Sequence, residues 1–318
     1  MIFAILYIVV GLAALVIGGE LLVRGAVGLA QKAGVSALVI GLVVVGFGTS
    51  MPELVTSVEA ALADSPAIAW GNIVGSNIAN SALILGTAAL VAPFAIKGAG
   101  VVRDPLVALA GSIVLAILVA TNIAGVWVGI ALLALLLTYI TSCYVQERKA
   151  KAAGIHTVHD VEIDQPPPSG WAKPILLTVG GLAVLIFGGR LLVSGAIDLA
   201  RLAGLTETLI GLTIVAIGTS LPELVTSVIA ARKGESDVAF GNVVGSNIYN
   251  IFGIGGATML LAPGPVPSNL LPLDMGLVIA SAVAILGFTI VTRQVGRLAG
   301  LVLVLVYAAY LAWLVINA

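Results

Sequence analysis

The sequence predicts an all-α polytopic membrane protein with ten transmembrane helices in two inverted-topology five-helix repeats. Three observations carry this. Of the 318 residues, 60% are hydrophobic and only 9% charged, with a mean hydropathy of +1.19. Soluble domains carry about 25% charged residues, so this chain could not cover a soluble surface with polar groups. The apolar runs are continuous over about 20 residues, the length that crosses a bilayer as a helix, and they do not alternate as β-barrel strands would. Finally, the two halves are copies. Residues 11–93 align without a gap to 181–263, and 45 of the 83 positions are identical, too many for coincidence.

Taken in order, the apolar runs place spans near 1–23, 37–62, 68–92, 105–121, 124–145, 173–193, 207–231, 237–262, 271–291 and 297–316. The opening run, MIFAILYIVVGLAALVIGG, lacks a charged leader and a good cleavage pattern, so it reads as a first span and not a signal peptide. The expected organisation is a first repeat at 1–145, a cytoplasmic linker at 146–172 and a second repeat at 173–318. The linker holds His156, His159 and a stiff Pro166-Pro167-Pro168 spacer. Five spans per repeat is an odd number, so the second copy enters the membrane upside down, as in many secondary transporters. With the N-terminus outside, twelve of the fourteen Lys and Arg fall on the cytoplasmic side and only Arg190 and Arg201 fall outside. Both termini are therefore expected to be extracytoplasmic.

Composition also excludes functions. A net charge of −1 gives no basic field for nucleic acid. One cysteine, Cys143, permits no disulfide within the chain, and two histidines in the linker cannot build a zinc site. No GxxxxGK[ST] motif for a nucleotide is present, and no histidine base or metal set supports an enzyme.

The chemistry lies in two copied stretches, GTSMPELVTS at 48–57 and GTSLPELVTS at 218–227. A carboxylate near the bilayer midplane costs about 2.5–3.5 kcal/mol or more, and neither Glu53 nor Glu223 has a Lys or Arg within its motif. A bound cation or a proton would compensate. Pro52 and Pro222 lack an N–H and obstruct the carbonyls of Gly48 and Gly218, so each span is expected to break near its middle and free backbone oxygens. Thr49, Glu53 and Ser57 share one helical face, as do Thr219, Glu223 and Ser227.

A second motif pair follows, GNIVGSNIAN at 71–80 and GNVVGSNIYN at 241–250. Asn72, Ser76 and Asn80 recur every fourth residue on one face, as do Asn242, Ser246 and Asn250. Gly71, Gly75, Gly241 and Gly245 allow close helix approach. Four such helices meeting at mid-depth make a cage of hard oxygens suited to Ca²⁺ or Na⁺. The remaining acids, Glu20, Glu59, Asp64, Asp104, Asp198, Asp237 and Asp274, are expected at span ends in contact with water or headgroups.

Two GTS-[ML]-PE-L-V-T-S segments, each followed by GN-[IV]-VGSNI-x-N, resemble the cation/calcium exchanger superfamily, and within it the prokaryotic sodium/calcium exchanger (calcium/sodium antiporter) branch. The resemblance covers nearly the whole chain. It implies an antiporter of the prokaryotic inner membrane that exchanges Na⁺ for Ca²⁺ by alternating access, with no cofactor, nucleic acid or nucleotide and no required oligomer. It implies that Glu53 and Glu223 bind the two ions in turn. Thr49, Ser50, Thr219 and Ser220 would add hydroxyl or carbonyl oxygens, Gly46 and Ala216 carbonyls, and Ser76, Asn80, Ser246 and Asn250 the remaining ligands. Spans 1 and 6 resemble the family's sliding gate, with Gly18-Gly19 and Gly188-Gly189 easing the motion. Asn250 stands where potassium-dependent members carry Asp, which argues against a potassium requirement. Ile73 and Val243 stand where proton-coupled members carry Glu, which favours sodium. Proton/calcium antiport with the same carboxylates is the alternative, and a cation channel a more distant one.

Overall fold

The computed structural model describes residues 1–35, 37–96, 101–152, 170–204, 216–264, 266–270 and 272–317. Most of the expected linker, with His156, His159 and the proline run, and the first part of the expected seventh span lie outside the described residues.

The chain is almost wholly helical. Its first half runs α1 (Ile2–Ala33), α2 (Ala37–Ile40), a π-helical turn Gly41–Val45, α3 (Gly46–Thr49), α4 (Met51–Leu62), α5 (Pro66–Ile78), a second π turn Ala79–Ile84, α6 (Leu85–Val91), α7 (Arg103–Thr121) and α8 (Val126–Ala152). The second half runs α9 (Ala172–Leu202), α10 (Ala216–Thr219), α11 (Leu221–Arg232), α12 (Ser236–Ile248), a π turn Tyr249–Ile254, α13 (Gly255–Leu261), α14 (Leu273–Gly287), a π turn Phe288–Thr292 and α15 (Arg297–Asn317). Five consecutive pieces, from α3 to α6, recur at an offset of 170 with identical boundaries, so the duplicated sequence folds twice into the same local structure.

Seven described helices are long and apolar enough to cross a membrane, or eight if the bent pair Gly41–Thr49 and Met51–Leu62 counts as one span. The run from α12 through α13 falls short on hydropathy. The amides and glycines of its motif dilute it, and it is buried along its length.

α1 and α9 cross antiparallel with their backbones in contact. A Cβ added at Gly11 would lie 2.6 Å from Leu192 N, at Gly18 2.6 Å from Leu185 N, and at Gly25 2.4 Å from Thr178 N. From the other side, Gly181 would meet Leu22 N at 2.5 Å, Gly188 Leu15 N at 2.8 Å and Gly195 Ala4 O at 2.5 Å. These glycines recur every seventh residue, which holds one face of a helix towards a single partner. With Ala4 they keep the seam continuous for about 32 Å at 1.5 Å per residue.

Loops join the halves at both ends. Phe94–Ala95 pairs antiparallel with Gln294–Val295. Glu20 on α1 holds Lys233 at 2.6 Å and Arg24 at 2.7 Å. At the opposite end of α4, a cavity of about 520 Å³ is lined by Leu62, Asp64, Pro66, Trp70, Thr258 and Pro263, among others.

Two span-end acids differ from expectation. Asp104 is 1% exposed, and its carboxylate takes the Arg103 Nε at 2.6 Å. Arg103 also reaches Gln146 and lies over the Tyr139 ring. Asp274, the repeat counterpart of Asp104, is half-buried and accepts the Tyr310 hydroxyl at 2.8 Å. Each sits in the first turn of its helix, where the dipole favours an acid. The next helix in sequence contacts it, which shields Asp104 fully and Asp274 in part. α8 also continues to Ala152, into the segment expected to be linker.

Candidate ion site

The site is built on the two broken spans. The helix axis turns by 49° between Gly41–Thr49 and Met51–Leu62. Ser50 stands at the break with φ −80° and ψ 8°, and Ser220 repeats it with φ −90° and ψ 7°. Pro52 and Pro222 fall in the first turn of α4 and α11. There the missing N–H has no helical partner to lose. Sequence reasoning placed the obstruction at the Gly48 carbonyl; in the structure the prolines start the second helix and the turn falls at the serine before it.

Both carboxylates are fully inside the protein, Glu53 and Glu223 each 1% exposed. Their contacts are exchanged between halves. Ser50 Oγ donates to Glu223 Oε1 at 3.2 Å, and Ser220 Oγ donates to Glu53 Oε1 at 3.3 Å. Asn72 Nδ2 donates to the Glu53 carbonyl at 3.2 Å and to Ser57 Oγ at 2.9 Å. Asn242 Nδ2 makes the same two bonds to Glu223 O and Ser227 Oγ, at 3.2 and 2.9 Å. These asparagines brace the acidic helices, a role that their four-residue spacing from Ser76 and Asn80 did not reveal.

Thr49 and Ser246 add further contacts between the halves. Thr49 is 0% exposed; its hydroxyl bonds Val45 O at 2.9 Å and lies 3.1 Å from Asn242 Oδ1. Ser246 Oγ donates to the Gly46 carbonyl at 3.4 Å, so that oxygen is turned towards the other half. Ser76 is buried on α5, and Thr219 ends α10, which Ala216 begins. Asn80 and Asn250 each occupy the second position of a π turn, a feature that clusters at functional sites.

Four oxygens stand out. Glu53 Oε2, Glu223 Oε2, Asn80 Oδ1 and Asn250 Oδ1 are buried and have no hydrogen-bond partner among the described residues. They form two repeat-related pairs. Among the described residues neither glutamate has an ion pair, and no cluster of three His, Cys, Asp or Glu occurs that would suit a transition metal. The donor set is all hard oxygen, which fits Na⁺ or Ca²⁺.

Sequence reasoning missed two links. Asn247 Nδ2 donates to Ser81 Oγ at 2.8 Å, and Tyr249 OH donates to Val43 O at 3.3 Å. Neither has a counterpart in the other half, because Ser81 aligns with Ile251 and Tyr249 with Ala79. The absence of symmetry hid them from a search for copied residues.

Known proteins resemble the chain over its full length. A family model described as Sodium/calcium exchanger protein matches residues 3–145 and 173–316. The putative antiporter CaxA of Alkalimonas amylolytica is 34% identical over 98% of both chains. The sodium/calcium exchanger MaX1 of Methanosarcina acetivorans is 33% identical over 96% of this chain and 97% of its own. A solved structure of the sodium-calcium exchanger NCX_Mj superposes with a TM-score of 0.83 at 28% identity, covering 98% of this chain and 99% of that one. The chain belongs to the sodium/calcium exchanger protein family, a family of membrane ion exchangers and not of enzymes, whose ions are substrates and not cofactors.

Proposed function

We propose that this chain exchanges Na⁺ for Ca²⁺ across the inner membrane of a prokaryote by alternating access, binding both ions in turn at Glu53 and Glu223. The carrying observation is the set of four buried oxygens without a donor, contributed as two repeat-related pairs. Bound cations would satisfy these oxygens and offset two carboxylates that no basic side chain meets among the described residues. Thr49, Ser50, Thr219, Ser220, Ser76 and Ser246 supply further oxygens, with the carbonyls of Gly46 and Ala216. An ion-neutralised site can be dehydrated and passed from one face to the other, whereas the empty, doubly negative site resists this, and exchange stays coupled.

The same reading takes the chain as ten spans in two inverted repeats, 1–145 and 173–318, joined by a cytoplasmic linker at 146–172, with both termini outside. The two segments matched by the family model follow that division. Three contacts support the grouping of segments by face, since each joins segments assigned to the same one. Glu20 on α1 meets Lys233 inside, Phe94–Ala95 meets Gln294–Val295 inside, and the loops at 62–66 and 262–264 share a cavity outside.

The test is ⁴⁵Ca²⁺ uptake into proteoliposomes loaded with Na⁺ and diluted into Na⁺-free buffer, with choline-loaded vesicles and an imposed pH gradient as controls. Uptake is expected to require internal Na⁺ and to vanish in Glu53→Gln and Glu223→Gln. Uptake driven by the pH gradient without Na⁺ would assign the same carboxylates to proton exchange.

A further inference from the structure

Two asparagines with unsatisfied oxygens sit in π turns. Asn80 is the second residue of Ala79–Ile84, and Asn250 the second of Tyr249–Ile254. A π turn departs from the regular α-helical ladder on either side, so that ladder alone does not fix its setting. Where the asparagine oxygen lies then depends on what holds the turn from outside.

A residue next to each asparagine is held across the halves. Ser81, directly after Asn80, accepts the Asn247 Nδ2 of α12 at 2.8 Å. Ser81 and Asn247 are 1% and 4% exposed, so water does not reach that bond. Tyr249, directly before Asn250, donates its hydroxyl to the Val43 carbonyl at 3.3 Å. Its ring also lies 5.3 Å from that of Phe47. The duplication makes both bonds informative. Ile251 stands at the position equivalent to Ser81 and Ala79 at that of Tyr249, so neither bond has a copy. Asn77, the copy of Asn247, turns to its own helix and donates to Ile73 O at 2.7 Å. A bond needed only to fold the copied motif would be copied with it. These two instead tie one π turn each to the opposite half.

We propose that Ser81 and Tyr249 are positioning residues of the ion site: each fixes the π turn beside it, and together they set the spacing of the Asn80 and Asn250 oxygens. This rests on the reading of those asparagines as ion ligands. Oxygens lie about 2.3–2.6 Å from Ca²⁺, so a fixed spacing favours one cation size over another. Residues that orient a ligand without touching the ion cost about 10–100-fold in affinity when lost. Here the anchor acts through the neighbouring backbone, which places the effect at the lower end.

The experiment measures Na⁺-dependent ⁴⁵Ca²⁺ uptake by the full chain in proteoliposomes, with Sr²⁺ as a larger competitor of like charge. Tm in detergent is read for every variant. Ser81→Ala and Tyr249→Phe each remove one hydroxyl. Both are expected to raise KM for Ca²⁺ about tenfold, leave the maximal rate little changed and bring the preference for Ca²⁺ over Sr²⁺ towards parity. Asn247→Ala added to Ser81→Ala should raise KM no further, since both end the same bond. Asn77→Ala, which removes the local bond, should lower Tm and keep the native KM and preference. Should Asn247→Ala fail to fold, the two single-hydroxyl variants decide alone. A fall in Tm with native KM and preference in either of them overturns the proposal and leaves its bond a structural brace. If the native chain shows no Na⁺-dependent uptake, the exchange reading fails separately. The proposal is then decided by the Ca²⁺ concentration that raises Tm, which should shift about tenfold in both variants and overturns it if unmoved.

Discussion

The seam between α1 and α9 is symmetric, and the packing of α5 and α12 is not. Along the seam each contact returns with the halves exchanged. A Cβ at Gly11 would meet Leu192 N at 2.6 Å, and at Gly181 the equivalent Leu22 N at 2.5 Å. The centre of the site behaves alike, with its exchanged serine–glutamate bonds at 3.2 and 3.3 Å. Symmetry is lost beside them, where the Asn247–Ser81 and Tyr249–Val43 links are unmatched and Val238 is covered while Ile68 is not. The same residue, glycine, thus serves two purposes. In the seam it makes a contact present twice over; beside the site Gly245 lets the Leu42 backbone approach α12.

Breaking the seam should have the largest effect. Gly18→Val would drive a branched side chain into Leu185 and the Gly181 carbonyl, both backbone, so no rotamer relieves it. Overpacking costs about 1–3 kcal/mol and more where backbone must move. Gly180→Ala, on the same partner helix but with nothing within 4 Å, is the control. Thermal unfolding in detergent at one scan rate should show a large fall in Tm, or no folded protein, for Gly18→Val and no change for Gly180→Ala. Equal behaviour would mean that the seam slides or opens freely and is no fixed unit.

A medium effect separates the two bracing asparagines. Asn242 and Asn72 make the same two hydrogen bonds, at matching distances. Removing a buried partner costs about 1–3 kcal/mol because the groups left behind are unsatisfied, whereas water can replace a partner that it reaches. Asn242→Ala should therefore lower stability more than Asn72→Ala in this state. Identical losses would show that the difference in exposure carries no energetic weight.

Much of this was legible in the sequence, because the information was written twice. Glu53, Ser50 and Asn80 drew attention through Glu223, Ser220 and Asn250, and all six are buried. Heptad glycines were visible too, though only the adjacent pairs Gly18-Gly19 and Gly188-Gly189 were singled out; contact along the whole helix depends on the crossing angle, which no local pattern encodes. Asp104 was misplaced for a related reason. Its position at a span end suggests water, but burial depends on which helix packs over it, and Arg103 and Tyr139 supply that cover. The π turns at Ala79–Ile84 and Tyr249–Ile254 left no composition signal, since one extra residue per turn is a response to packing.

The smallest effect belongs to the ion pair that ties the seam to the site. Lys233 reaches Glu20 at 2.6 Å, but their side chains are 28% and 34% exposed. Arg24 holds the same carboxylate oxygen, so Glu20 keeps a partner when Lys233 is lost. Partly exposed pairs of this kind contribute about 0.2–1 kcal/mol and are screened by salt. Lys233→Ala should therefore shift Tm slightly at low salt and not at all at high salt. Arg190 occupies the position equivalent to Glu20, so the link exists in one half only. It is asymmetric like the approaches to the site, yet it lies on the symmetric seam. A salt-independent loss as large as that of Asn242→Ala would move this pair from the screened surface into the packed interior between α1 and the second repeat.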